Sequence, residues 1–220
     1  MEDIEIISMW KLQNEKIEQS LAINKDLLLE ITNNKANSAL RSLKSIKITG
    51  LILAVFYILF LGYLLSFAVS HYSPAWNYFL ISVGAIFILN MKAIADYIRH
   101  LVWVNQIDYD GSITEIQQKL LRLQLSIIKH LRMMILQFPL FTTFYLSSNW
   151  FPGSVGWGYI LLQTTLTGSF IAGTVWLYRK LRIENMENKV VQHFIAGSGG
   201  QSVRKAMEFY KEFEDFKMEE

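Results

Sequence analysis

All 40 Lys, Arg, Asp and Glu residues of this 220-residue chain lie in three segments, 1–47, 92–132 and 179–220, and none lies in 48–91 or 133–178. Each uncharged block is about twice the roughly 20 apolar residues that a helix needs to cross the hydrocarbon core of a bilayer. The segregation predicts an all-α polytopic membrane protein, with four transmembrane helices arranged as two hairpins. Breakers divide each block near its middle, His71 to Pro74 in the first and Ser148 to Ser154 in the second. The expected spans are 48–69, 76–95, 133–151 and 156–178.

Orientation follows from the same pattern. Short loops rich in Lys and Arg stay on the cytoplasmic side, and uncharged ones are translocated. All 21 basic residues fall in the three charged segments, so both termini are expected in the cytoplasm. Tyr72, Trp76, Tyr78, Trp150, Trp157 and Tyr159 would form an aromatic belt at the outer face. The acidic start, Met1 to Glu5, has no apolar signal core, so the first span is expected to target the chain. The organisation is then N-terminal helices at 1–47, a hairpin at 48–95, a helical connection at 96–132, a second hairpin at 133–178 and C-terminal helices at 179–220, with a Gly-Ser break near 197–200.

The charged segments carry helical stripes. In 4–31, Trp10, Ile17, Leu21, Leu28 and Ile31 form an apolar seam whose remaining positions are Asn14 and Asn24, and a polar seam residue can fix register in a coiled coil. Asn33-Asn34 is expected to interrupt before a basic helix with Leu40, Leu43 and Ile46 on one face. Ser112-Ile-Thr-Glu115 reads as a capping box. Ile113, Ile116, Leu120, Leu123, Ile127 and His130 continue its stripe, which predicts one long helix entering the bilayer. The fourth span is expected to extend from Arg179 to Phe194 with Ile183, Met186, Val190 and Phe194 on one face. After a flexible Gly197 to Gly200 linker, Ser202 would cap a last helix with Val203, Met207, Tyr210 and Phe213 or Phe216 on its apolar face.

Chemistry is sparse. Absence of Cys excludes disulfides, thiolate metal sites and thiol nucleophiles. Gln106 to Gln117 overlays a calcium loop only in its middle, because both ends are Gln where carboxylates are needed. The four histidines lack the short paired spacing of helical metal sites and are taken as structural or interfacial. Neither a nucleophile with its base nor a basic, aromatic nucleic-acid face is present. The expectation is therefore no enzyme, no cofactor, no metal and no direct nucleic-acid binding. Asn90, Lys92 and Asp96, joined by Thr164, outline the alternative of a transport path. Lys92 near the interface is better explained by snorkelling. Gly168, Ser169, Ala172 and Gly173 would allow close helix packing, and with the Asn-bearing seam they suggest a homo-oligomer.

The stretches Ile7-Ser8-Met9-Trp10-Lys11, Leu21-Ala22-Ile23-Asn24 and Gly199 to Met207 resemble those of small, largely uncharacterised bacterial inner-membrane proteins with four spans. Some of these are similar in layout to membrane-bound partners of extracytoplasmic sigma factors. The resemblance implies a bacterial envelope protein and no catalytic residue. Four spans with almost no outer domain depart from the single-span anti-sigma layout and argue against sensing from outside. The combined expectation is a scaffold or regulator that meets the bilayer and a cytoplasmic protein, conceived as a transcription-regulatory partner. Its contact faces would be Trp10, Ile17, Leu21, Asn24 and Leu28 at one terminus, and Val203, Met207, Tyr210 and Phe213 at the other. Packing on the chain itself would use those faces equally well.

Overall fold

The computed structural model describes residues 2–109, 111–185 and 188–218. Among them every regular element is helical: α1 (Glu2–Ser70), α2 (Asn77–Asn105), α3 (Ile113–Met134), α4 (Trp157–Lys180), α5 (Lys189–Gly197) and α6 (Gly200–Met218), with short 3-10 turns between. Helices α1, α2 and α4 are long and apolar enough to cross a membrane. Ile52, Leu53, Phe56, Leu59, Phe60 and Tyr63 of α1 and Leu161 and Leu162 of α4 stand exposed, an apolar band too extensive for a water-facing surface.

Helix α1 corrects the first expectation. It runs unbroken for 69 residues, about 100 Å at the α-helical rise, so no interruption occurs at Asn33-Asn34. In residues 23–50 of this helix the buried positions are Thr32, Ala36, Leu40, Leu43 and Lys47, spaced by four, four, three and four. Lys47, rather than the 37% exposed Ile46, completes that stripe. Nearer the uncharged end, Leu61 packs against Val83 and Ile86 of α2.

The third expected span, 133–151, is not an α-helix. Helix α3 stops at Met134, and the chain continues through 3-10 turns at Ile135–Gln137 and Pro139–Thr142 and further turns to Gly153. Pro139 and a run of aromatic and β-branched residues account for the change, since proline removes a backbone donor and the others lose rotamer freedom in a helix. The segment nevertheless runs antiparallel to α2 along almost its whole length. Ser126 pairs with His100, His130 with Asp96, Gln137 with Asn90 and Thr143 with Ser82, and the Phe151 ring meets Tyr78 at 6.0 Å. Between the Asn90 and Ser82 contacts α2 advances about 12 Å, and its partner covers that rise with residues 137 to 143, about 2 Å each, the 3-10 value.

The remaining corrections concern the C-terminal part. Helix α4 ends at Lys180, a turn intervenes, and Asn188 caps α5 by accepting from the Val190 amide at 3.0 Å. The expected continuous extension to Phe194 is therefore absent. Val191 and Ile195 face inward while Val190 is exposed; Met186 lies outside the described residues, as do the side chains of Ile183 and Phe216. The glycine segment is a tight corner between α5 and α6. Gly199 has φ +84° and lies where any Cβ would collide with the Leu43 side chain, so glycine here serves close approach and a left-handed backbone. Helix α6 starts at Gly200, which places Ser202 inside its first turn and not at the cap.

At this charged end four helices share one core. Ala36, Leu40 and Leu43 of α1, Val104 of α2, Ile116, Leu120, Leu123 and Ile127 of α3, and Val203, Ala206 and Tyr210 of α6 form a single cluster. A 19-residue helix is marginal by itself in water, so α6 depends on this burial, at roughly 1.5–3 kcal/mol for each large side chain taken out of water. Ser112 caps α3 as expected, its Oγ accepting from the Glu115 amide at 3.3 Å, while the Glu115 carboxylate pairs with Lys119 at 2.8 Å, and the α3 stripe is buried from Ile116 to His130.

Candidate functional site

Polar side chains at four levels of α2, His100, Asp96, Asn90 and Ser82, form a column of pairs with residues 126 to 143. At the charged end Asp96, 4% exposed, is its centre. Lys92 Nζ lies 2.7 Å from Asp96 Oδ2, Arg99 Nη1 lies 3.8 Å from Oδ1, and His130 Nδ1 lies 3.2 Å from Oδ2. Burial pushes the His130 imidazole down to about 4, the Lys47 ammonium adding to the effect and the Asp96 contact opposing it. At neutral pH the ring is therefore uncharged, and its Nδ1–H donates a hydrogen bond to the carboxylate instead of forming an ion pair.

Lys47 and His100 complete this group. The Lys47 ammonium sits 4.9 Å above the centre of the Tyr97 ring, a cation–π contact that offsets part of the loss of water. The approach is close because Gly50 faces the same ring, where a Cβ would meet Tyr97 at 3.2 Å. His100 Nε2 lies 2.9 Å from Ser126 Oγ, and its buried Nδ1 has no partner. A hydroxyl beside an imidazole suggests a nucleophile, yet this ring is fully buried and no carboxylate orients its second nitrogen. Access and the third member of such a site are both lacking. Among the described residues no group of three or more His, Asp or Glu side chains is placed to hold a metal ion.

Deeper in the bundle the column serves the irregular segment. Asn90 Nδ2 donates to the Ile86 carbonyl at 2.8 Å and to Gln137 Oε1 at 3.2 Å. Gln163 of α4 donates to the Thr142 carbonyl at 2.6 Å and accepts from Tyr145 at 2.8 Å, while Thr142 and Thr167 hydroxyls meet at 3.0 Å. These side chains supply a partner to the Thr142 carbonyl and to the Gln137, Thr142 and Tyr145 side chains of the irregular segment.

Of the residues singled out in the sequence, Asn90, Lys92 and Asp96 belong to this column, but Thr164 lies on the exposed side of α4. Gly168, Ser169, Ala172 and Gly173 are exposed on α4, and a Cβ at either glycine would touch nothing, so they do not pack helices within this chain. Val203, Tyr210 and Phe213 are buried and Met207 is partly buried against the chain's own core. At the other terminus Trp10, Ile17 and Leu21 are 70%, 51% and 42% exposed; Asn24 is also exposed and Leu28 half-buried. Sequence reasoning missed Lys47, Tyr97, His100 and Ser126 as members of this group. A faint signal existed: Lys47 continues the spacing of Leu40 and Leu43, and His130 continues the α3 stripe, so both were due to be buried.

No family model, curated protein or solved structure matches this chain.

Proposed function

We propose that the chain is a non-enzymatic scaffold or regulator of the bacterial inner membrane, crossing it four times with both termini in the cytoplasm, and that it engages a cytoplasmic protein through the seam 10–31 of α1. The observation that carries the reading is the contrast between the two terminal faces. The α6 face is consumed by the chain's own core, whereas Trp10, Ile17, Leu21 and Ile31 of the α1 stripe stand exposed, with Leu28 half-buried, and among the described side chains of that helix burial begins only at Thr32. An exposed stripe with anchors at helical spacing is what helix-in-groove or coiled-coil docking uses. The antiparallel run of residues 126–151 beside α2 supports four crossings, the third in 3-10 and turn conformation. The family resemblance in the terminal stretches supports the bacterial assignment.

Photo-crosslinkers placed at Ile17 and Leu21, and for comparison at Phe213, test the reading in native membranes. Adducts to another protein are expected at the two α1 positions and not at Phe213. An adduct at twice the chain mass would identify the partner as a second copy, and Asn24→Leu should then change the assembly. Absence of adducts from α1 rejects the scaffold reading. The second reading, a transporter, is favoured by one observation, the polar column from Asp96 to Tyr145; it requires flux in reconstituted vesicles that is lost on Asp96→Asn.

A further inference from the structure

A pocket of about 560 Å³ opens between the end of α3 and the end of α4, lined by Leu125, Ile128, Lys129, Arg132, Met133, Tyr178, Leu181, Arg182 and Glu184. Three cations face one carboxylate. That carboxylate, Glu184, is 77% exposed and touches Arg182 only at 4.0 Å, so it leaves most of the positive charge uncompensated. The Arg132 guanidinium is stacked 4.1 Å from the centre of the Tyr178 ring, and its buried Nε has no hydrogen-bond partner. Stacking fixes the plane of the fork and leaves donors for a planar bidentate contact, the geometry that suits a phosphate. The remaining wall is apolar: Leu125, Ile128, Met133 and Leu181.

The position of the pocket matters as much as its composition. Lys129 and Arg132 lie immediately before the uncharged block 133–178, and Arg182 lies just after it. Three cations are thus gathered where polar chain meets apolar chain, the depth at which a lipid headgroup sits. Basic pockets between membrane helices on the cytoplasmic side are suited to anionic headgroups.

We propose that this pocket is a binding site for the phosphate of an anionic glycerophospholipid, with Arg132 as its bidentate donor, Lys129 and Arg182 as flanking cations, and the apolar wall against the first acyl carbons. The inference rests on the chain being embedded in a membrane, but on neither the scaffold nor the transporter reading. Phosphate is a chemistry shared by lipid headgroups and soluble phosphates, and the apolar wall favours the lipid.

The test uses the full chain, reconstituted first in phosphatidylcholine nanodiscs, so that failure to insert would reject the membrane premise separately from the site. Native mass spectrometry of the detergent-solubilised chain then follows retention of phosphatidylglycerol, phosphatidylcholine and inorganic phosphate. Phosphatidylglycerol is expected to be retained in preference to phosphatidylcholine. The variant Lys129→Gln/Arg182→Gln, which changes two exposed residues and leaves the core alone, should weaken that retention about tenfold. Arg132→Lys, which keeps the charge and loses the fork, should weaken it as well. Arg41→Gln/Lys44→Gln, outside the pocket, should not. Equal retention by wild type and the pocket variants overturns the proposal, as does an equal loss in the Arg41/Lys44 variant, which would reduce the effect to general surface charge. Displacement of the lipid by millimolar inorganic phosphate would overturn the lipid assignment in favour of a soluble phosphate.

Discussion

Asn33 links three parts of the chain through one side chain. Its Nδ2 donates to the Tyr109 carbonyl at 2.9 Å, and its Oδ1 accepts from the Tyr210 hydroxyl at 2.7 Å. The loop after α2 and the buried face of α6 are thereby tied to α1. Burial pushes the Tyr210 hydroxyl well above its ordinary range, with Tyr109 adding to the effect, so the group stays a donor throughout the physiological range. Tyr210→Phe keeps the ring and leaves Asn33 Oδ1 unsatisfied, which should cost about 1–2 kcal/mol. Asn33→Ala removes both bonds and should cost more. Hydrogen exchange of the α6 amides measures this: protection should fall in the order wild type, Tyr210→Phe, Asn33→Ala, and unchanged exchange would mean that apolar packing alone holds α6.

Between elements, the α5–α6 corner is the most constrained junction. Gly199 combines a positive φ with a position against Leu43, so Gly199→Ala meets a backbone conformation unfavourable for any side chain by roughly 1 kcal/mol together with a collision. The expected result is α6 loosened from the core by more than about 2 kcal/mol, seen as new protease cleavage near residues 197–202. Leu43→Ala alone opens a core cavity at a cost of about 2–5 kcal/mol, so the collision is read from a double-mutant cycle: Gly199→Ala should cost less in the Leu43→Ala background than in the wild-type chain. Equal costs in the two backgrounds would place the defect in the backbone alone. The segment 135–153 poses the opposite case, because it lacks regular helix yet is tied on one side by Asn90 and Ser82 and on the other by Gln163 and Thr167. Side chains of the helices around it hold it at Gln137, Thr142, Thr143 and Tyr145.

At the scale of the whole molecule, charged and uncharged ends separate cleanly. Lys47, Asp96, His130 and Arg132 lie at one end. Tyr78, Trp150, Phe151 and Tyr159 form an aromatic cluster at the other, with Trp150 and Tyr159 rings 5.7 Å apart. The absence of native Cys permits a direct test of the proposed topology. Single cysteines at Ser73 and Ser154 should react with an impermeant maleimide in intact cells, and those at Ser20 and Gln201 only after the membrane is opened. A reversed pattern inverts the proposed orientation, and labelling of only one of the two outer positions removes a crossing.

The sequence by itself determined the helical class, the apolar spans of α1, α2 and α4, the start of α3 at Ser112 and the buried α3 stripe. Each of these rests on local periodicity or on the energetics of moving charge into hydrocarbon, which any single segment carries in itself. Tertiary structure decided the rest. Asn33-Asn34 reads locally as a helix breaker, yet Asn33 has partners on distant segments and the helix continues. Residues 133–151 read as a span helix by hydropathy, but Pro139 interrupts the helix, Gln163 satisfies the Thr142 carbonyl, and Asn90 holds the Gln137 side chain. Gly197 to Gly200 reads as a tether, and only the nearness of Leu43 makes it a corner. The Asp96 group draws on α1, α2 and α3, so no spacing within one segment could reveal it. Segment-level physics follows from composition and period, whereas satisfaction of polar groups depends on which segments meet.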